Sequence, residues 1–255
     1  MRVRAITFAF FVVLSLIGAL VALAPSALAG EAEDRAREDQ MALLVGRSRM
    51  DAGLLPLARS AALNGAAASH AHDMVDQGYM EHEGLNGSTP ASRAADHGYA
   101  TPPGGAWLVV EVISAQGDAP EAAMGWWLGD GLHRRVVLRS YWREVGIGYA
   151  PGGPYGRFWV VLFGCRPNVL PPVLLDGTLA IPDETCGAAP DAFGHVEAVR
   201  AGANPDAAHG HDWAPYAAEQ SWPAGQPAVV QVRDGTGRVL EAAAHDPTVA
   251  AAELP

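Results

Sequence analysis

The sequence predicts an α+β chain: a three-layer α-β-α sandwich followed by a small C-terminal β unit. Three observations predict it. The segment from Arg157 to Gly164 reads R-F-W-V-V-L-F-G. As a strand it puts Phe158, Val160 and Leu162 on one face and Trp159, Val161 and Phe163 on the other, and two apolar faces both need covering. Upstream segments with helical spacing can supply the covers. Beyond Arg166 the composition shifts to proline-rich links and short β-branched runs, which reads as a small β unit over 168–250.

The elements follow in order. Residues 1–29 read as a secretory signal peptide. Arg2 and Arg4 are its positive start, Ile6 to Ala24 is almost all apolar, and Ala27-Leu28-Ala29 is a small-x-small cleavage site. Residues 30–37 are charged and alanine-rich and read as a solvated leader. A helix is expected over 38–52, with Met41, Leu44, Val45 and Ser48 on one side and Gly53 as its stop. A second runs from Ser60 to Gln77. Leu63, Ala67, His70 and Met74 form its buried stripe, and Gly78 ends it. Asn86-Gly87 marks a turn. Thr89 caps a short helix with Pro90 in its first position, closed by Gly98.

Trp107 to Ser114 reads as a strand. Asp118 with Pro120 opens another helix, ended at Gly129. Glu144 to Ala150 and Arg157 to Gly164 are strands around a Pro-Gly-Gly-Pro-Tyr-Gly turn. These elements make a domain over 38–166. In the β unit, short strands are expected at Val169–Leu175, Leu179–Ile181, Val229–Arg233 and Arg238–Leu240. The last two are joined by an Asp-Gly-Thr-Gly hairpin turn.

Charge and composition exclude several functions. The formal net charge is −11. Losing Arg2 and Arg4 with the signal makes it −13, a poor match to nucleic acid or anionic lipid. All 17 basic residues are arginine, so Schiff-base chemistry and a P-loop lysine are excluded. No segment after the signal reads as a membrane span. Cys165 and Cys186 are the only cysteines. In an exported protein they are expected to pair, closing a loop worth about 3 kcal/mol in the chain-entropy picture.

Four short segments bring polar chemistry: Gly78 to His82 (G-Y-M-E-H), Val110 to Ile113 (V-E-V-I), Leu132 to Leu138 (L-H-R-R-V-V-L) and Glu144 to Tyr149 (E-V-G-I-G-Y). Two histidines and two carboxylates suit a metal or acid–base site. The same set suits a buried polar network that only ties loops to the sheet. Glu111 and Glu144 are also weighed as a glycosidase pair. No G-x-S-x-G elbow and no H-E-x-x-H occurs. His70 reads as a core histidine, His72 points elsewhere, and His209 and His211 read as parts of an exposed loop.

The ordered set of these segments resembles the CAP superfamily (cysteine-rich secretory, antigen 5 and pathogenesis-related-1 proteins; the SCP domain), in its secreted bacterial form, over about residues 38–166. The second helix carries A-S-H-A-H-D-M, like the family's A-x-H-A-x-D-M. The stretch G-W-W-L-G-D-G-L-H-R-R-V-V-L is similar to its G-W-x-x-S-P-G-H-R-x-x-I-L. The resemblance implies a cavity holding His82, Glu111, His133 and Glu144, with His82 and His133 able to hold a divalent metal such as zinc. Two departures stand out: the family's G-E-N reads V-E-V around Glu111, and its P-G-H lead-in reads Asp130-Gly131-Leu132-His133.

The expected role is therefore an extracellular domain that binds a small molecule, lipid or cell-envelope component in that cavity. Catalysis is not the preferred reading. The alternatives are a metal-assisted, protease-like hydrolase at the same cleft and a structural module whose polar network only stabilises.

Overall fold

The computed structural model describes residues 6–99, 108–115, 117, 119–166, 169–184 and 193–246. Two units emerge, Met1–Ala36 and Arg37–Pro255. Helix α1 spans Ile6–Asp51. Within the first unit an exposed Arg35–Glu31 pair one turn apart lies on this helix. The helix expected over 38–52 is its C-terminal part, and Gly53 stops it at φ 72°.

The second unit holds the predicted sandwich. After β1 (Ala58–Arg59) comes α2 (Ala61–Gln77), capped by Ser60 and ended by Gly78 at φ 72°. Helix α3 (Pro90–Asp96) starts at Thr89, whose hydroxyl accepts from Ser92 N while Ser92 Oγ accepts from Thr89 N. Strand β2 (Leu108–Ser114) follows; Trp107 lies outside the described residues. Helix α4 (Pro120–Gly129) begins after Ala119, which makes no side-chain cap. The expected opener, Asp118, lies outside the described residues. Helix α5 (Gly131–Val137) was not expected, although Asp130 caps it as an ordinary N-cap aspartate would. Strands β3 (Glu144–Pro151) and β4 (Arg157–Cys165) complete a sheet ordered β1-β3-β4-β2.

Each face of this sheet has its own core. Trp159, Val161, Phe163, Val145 and Ile147 pack with Met41 and Val45 of α1, Trp127 of α4 and Val137 of α5. Phe158, Val160, Leu162 and Ile113 pack with Leu63, Ala67, Ala71 and Met74 of α2 and Ala94 of α3. This is the three-layer α-β-α arrangement, and β4 divides its side chains between the layers as the sequence predicts.

The remaining elements are all short. They are β5 (Val173–Leu175), β6 (Thr178–Ala180), β7 (Val196–Gly202), α6 (Pro205–Gly210), β8 (Ala214–Pro215), β9 (Glu219–Ser221), β10 (Val229–Asp234) and β11 (Val239–Ala243). They form two sheets, β11-β10-β7-β8 and β5-β6-β9. Leu179, Ile181, Val199, Val230 and Val232 form a further core there. The expected hairpin joins β10 to β11, with Asp234 Oδ1 accepting from the backbone of Thr236 and Arg238. His209 lies in α6 rather than in a loop, because Asn204 caps that helix and Pro205 starts it.

Candidate functional site

Strand β2 lies at one edge of the first sheet, and three of the four expected residues gather there. Glu111 is on β2, opposite Leu162 of β4. Its side chain is 1% exposed, so its charge needs partners. Arg93 Nη2 donates to Oε2 at 2.8 Å, and His82 Nδ1 meets Oε1 at 2.9 Å. Because a carboxylate only accepts, Nδ1 carries the proton and Nε2 of His82 is the free acceptor.

His82 sits in the loop between α2 and α3, and two buried basic side chains pin that loop. His70 Nε2 lies 2.9 Å from Glu81 O, and Arg93 Nη2 donates to His82 O at 3.1 Å. His70 is therefore the core histidine the sequence suggests, and it also stands 3.8 Å from Glu111 Oε1.

His133 is held from the other side by α5. Asp130 Oδ1 accepts from Leu132 N, from His133 N and from His133 Nδ1 at 2.7 Å. The His133 backbone bond, followed by the side-chain bond, holds the Asp130 carboxyl below its usual range. The His133 ring centroid is 4.5 Å from that of Trp126. At the far end of α5, buried Arg49 donates to Val137 O and Arg139 O, which fixes the helix. Burial, with Arg143 nearby, lowers the Arg49 guanidinium to about 10.

His82, Glu111 and His133 line one cavity of about 400 Å³, with Leu132, Arg135 and Arg139 also in its wall. Both histidines present the same device. A carboxylate holds Nδ1–H and leaves Nε2 as the available ring atom, the arrangement that orients a histidine for a metal or a proton.

Glu144 lies elsewhere. It faces a different cavity of about 490 Å³ that Arg59, Arg166 and His245 also line. Tyr99 OH donates to it at 2.6 Å, and Arg166 grips it with Nε at 2.9 Å and Nη2 at 2.6 Å. Burial pushes the Tyr99 phenol far up, reinforced by the Glu144 charge. Burial opposes the charge on Arg166, but the Glu144 bonds outweigh it and raise the guanidinium. Glu144 pairs with Gly164, two residues along β4 from the partner of Glu111. With strands about 4.8 Å apart and a rise of about 3.3 Å, the two Cα atoms stand about 12 Å apart. Each glutamate is engaged by its own arginine in its own cavity, so the two do not form a glycosidase pair across one cleft.

Two imidazole nitrogens are suitable donors for a divalent ion. Among the described residues, however, no group of three histidine, cysteine or carboxylate side chains is placed to hold one. Both Glu111 oxygens are already bonded. The two histidines line the same cavity, and an ion there would have to complete its shell from water or a ligand.

The sequence reading missed Arg93, Asp130, Tyr99 and Arg166. Asp130 had a signal, since aspartate before Gly-Leu-His is a helix cap. Arg93 had a weaker one, an arginine inside an alanine-rich short helix. Cys165 is buried and no described cysteine is free; its expected partner, Cys186, lies outside the described residues.

His70 carries a pH prediction. Burial pushes it below its ordinary 6.5, against the opposing pull of Glu111. The unfolded chain then takes a proton at a pH where the folded chain resists it. Stability is held above pH 6.5 and falls as the pH drops below it. His245, lowered chiefly by burial, acts in the same direction. The lowered carboxyls of Asp176 and Asp234 act only below 3.8. Urea unfolding at stepped pH will therefore show a stability loss that begins near 6.5. His70→Gln will flatten it, and an unchanged slope would remove His70 from this role.

Comparison with known proteins places the central segment. Residues 44–163 match the model of the cysteine-rich secretory protein family, CAP. The uncharacterized protein YkwD of Bacillus subtilis (strain 168) is 25% identical over 118 residues, 46% of this chain and 44% of that protein. The chain thus spans less than half the length of this curated relative. An extracellular protein containing a SCP domain from Bacillus anthracis str. Ames is 25% identical, with a TM-score of 0.43 over 50% of this chain and 39% of that one. An outer surface protein from Borrelia burgdorferi is 21% identical, with a TM-score of 0.43 over 51% of this chain and 93% of that one.

Proposed function

We propose that residues 44–163, which match the CAP family model, form an exported CAP (SCP) binding domain. Its ligand is a small molecule, lipid or cell-envelope component held at His82, Glu111 and His133. The apolar stretch and the Ala27-Leu28-Ala29 site of the first 29 residues support export, so the form to test begins at Gly30.

The observation that carries the binding reading is the state of Glu111. A hydrolase at this cleft needs a carboxylate free to take a proton or to hold an activated water. Glu111 instead has Arg93 on one oxygen and His82 on the other. That arrangement orients His82 and leaves the two Nε2 atoms, with the apolar wall beside them, to meet a ligand. A divalent ion, where bound, would take those same two atoms and act as a positive contact for the ligand.

The test follows the imidazole resonances of the mature protein by NMR as zinc chloride, and separately neutral monoolein, is added. Shifts confined to His82 and His133 are expected for at least one probe. They should vanish in His82→Ala with His133→Ala while the rest of the spectrum is retained. A variant that only melts earlier, in a protein where neither probe shifts these rings, would leave the structural-module reading standing instead.

A further inference from the structure

We propose that this cleft recognises an oxyanion, a carboxylate or a phosphate, through Arg135 and Arg139. The inference deepens the binding reading above and rests on it. It starts from a contrast of sign. The whole chain carries −11, yet the charged side chains lining this cavity are Arg135, Arg139 and Glu111, beside the two histidines. Glu111 is already matched by Arg93. The wall therefore presents uncompensated positive charge within an acidic protein.

Several arginines elsewhere are matched by carboxylates, while Arg49 is held by backbone carbonyls and Arg200 and Arg233 lie over Trp213. Arg47 pairs with Asp176, Arg59 with Asp39, Arg93 with Glu111 and Arg166 with Glu144. Arg135 makes no ion pair among the described residues. Arg139 donates to Tyr141 OH at 2.9 Å and stacks over that ring at 5.0 Å from its centroid. An aromatic contact fixes the direction of the guanidinium without neutralising it.

A planar guanidinium fork matches the two oxygens of a carboxylate or phosphate. Arg135 lies on α5 and Arg139 two residues beyond its end, and both line this one cavity. Asp130, which caps α5, is spent on the backbone and ring of His133. Beside the arginines, Leu132 (67% exposed) and Val136 give the wall an apolar strip. An anionic head with a short apolar tail fits both parts.

Three probes with the same tail separate the outcomes: sodium octanoate, octyl phosphate and octyl glucoside, each below its micellar concentration. Binding to the mature protein is read from the His82 and His133 resonances. Octanoate, octyl phosphate or both should bind at least ten-fold more tightly than octyl glucoside, and more weakly as salt is added. Arg135→Gln with Arg139→Gln should remove that advantage while leaving octyl glucoside unchanged. Preference for octyl phosphate would point to a phospholipid head, preference for octanoate to a fatty or other carboxylic acid; either supports the proposal. Equal binding of all three probes, or anion binding unaffected by the double variant, overturns it while leaving the cleft as a binding site. Silence of both rings towards every probe overturns the proposal and the binding reading together.

Discussion

Arg93→Ala will destabilise the protein by about 3–5 kcal/mol, the cost of leaving a buried charge without its partner. The Glu111 side chain is 1% exposed and that of Arg93 8%. Truncation removes the bond to Glu111 and, with it, the bonds that hold His82 O and Ser88 O. The carboxylate keeps one hydrogen bond, with the half-exposed His82, and the loop between α2 and α3 loses one of its two ties. Urea unfolding measures the loss. Arg93→Lys should recover only part of it, because an ammonium cannot reproduce the fork that reaches acceptors on Glu111, His82 and Ser88 together. Arg93→Met combined with Glu111→Gln should recover most, since no buried charge is then left alone. If Arg93→Ala came within about 1 kcal/mol of the wild type, Glu111 would have to be stabilised by something other than this pair.

Gly148→Ala will cost about 3 kcal/mol or more, at the upper end of overpacking effects. A Cβ at Gly148 would collide with Ala67 C and Ala68 N, far inside van der Waals contact. At Gly146 it would collide in the same way with Leu63 C. These are backbone atoms of α2, so no rotamer change can relieve the contact. The helix lies directly on β3, and glycine at alternate positions of E-V-G-I-G-Y is what permits it. Forcing it away would loosen Leu63, Ala67 and Met74 together. Gly125→Ala is the control. It lies in the exposed face of α4 with nothing within 4 Å of its Cβ, so alanine there should stabilise by about 0.5–1 kcal/mol. Equal thermal midpoints for the two variants would refute the close-approach explanation.

The sandwich was legible because its signals are local. Ser60 and Gly78 bound α2 as capping rules require, and Thr89 with Pro90 starts α3. The two apolar faces of β4 demanded two covering layers, and two were found. What went unread was either too short or too plain. Strand β1 is two residues long and exists only because Glu144 and Val145 pair with it. Strand β7 reads V-E-A-V-R-A-G, in which alanine and glycine blur the alternation. Helices α5 and α6 carried cap residues, Asp130 and Asn204, that were available to local reasoning.

The candidate site divides along the same line. Residue type and local pattern were enough to single out the candidate side chains and their places in the chain: His82 after α2, Glu111 in β2, His133 beside Asp130, Glu144 at the start of β3. Which of them meet is settled by the packing of the layers. Glu111 and Glu144 flank the same strand on the same face, yet two residues of register and two strand spacings put them in separate cavities. Arg93 and Arg166 then fix each one there, across separations of 18 and 22 residues. Caps and periodicity act over a turn or a strand pair, so sequence neighbours encode them. The pairing of a buried charge depends on which distant side chain the packed layers bring within about 3 Å, and no local pattern specifies that.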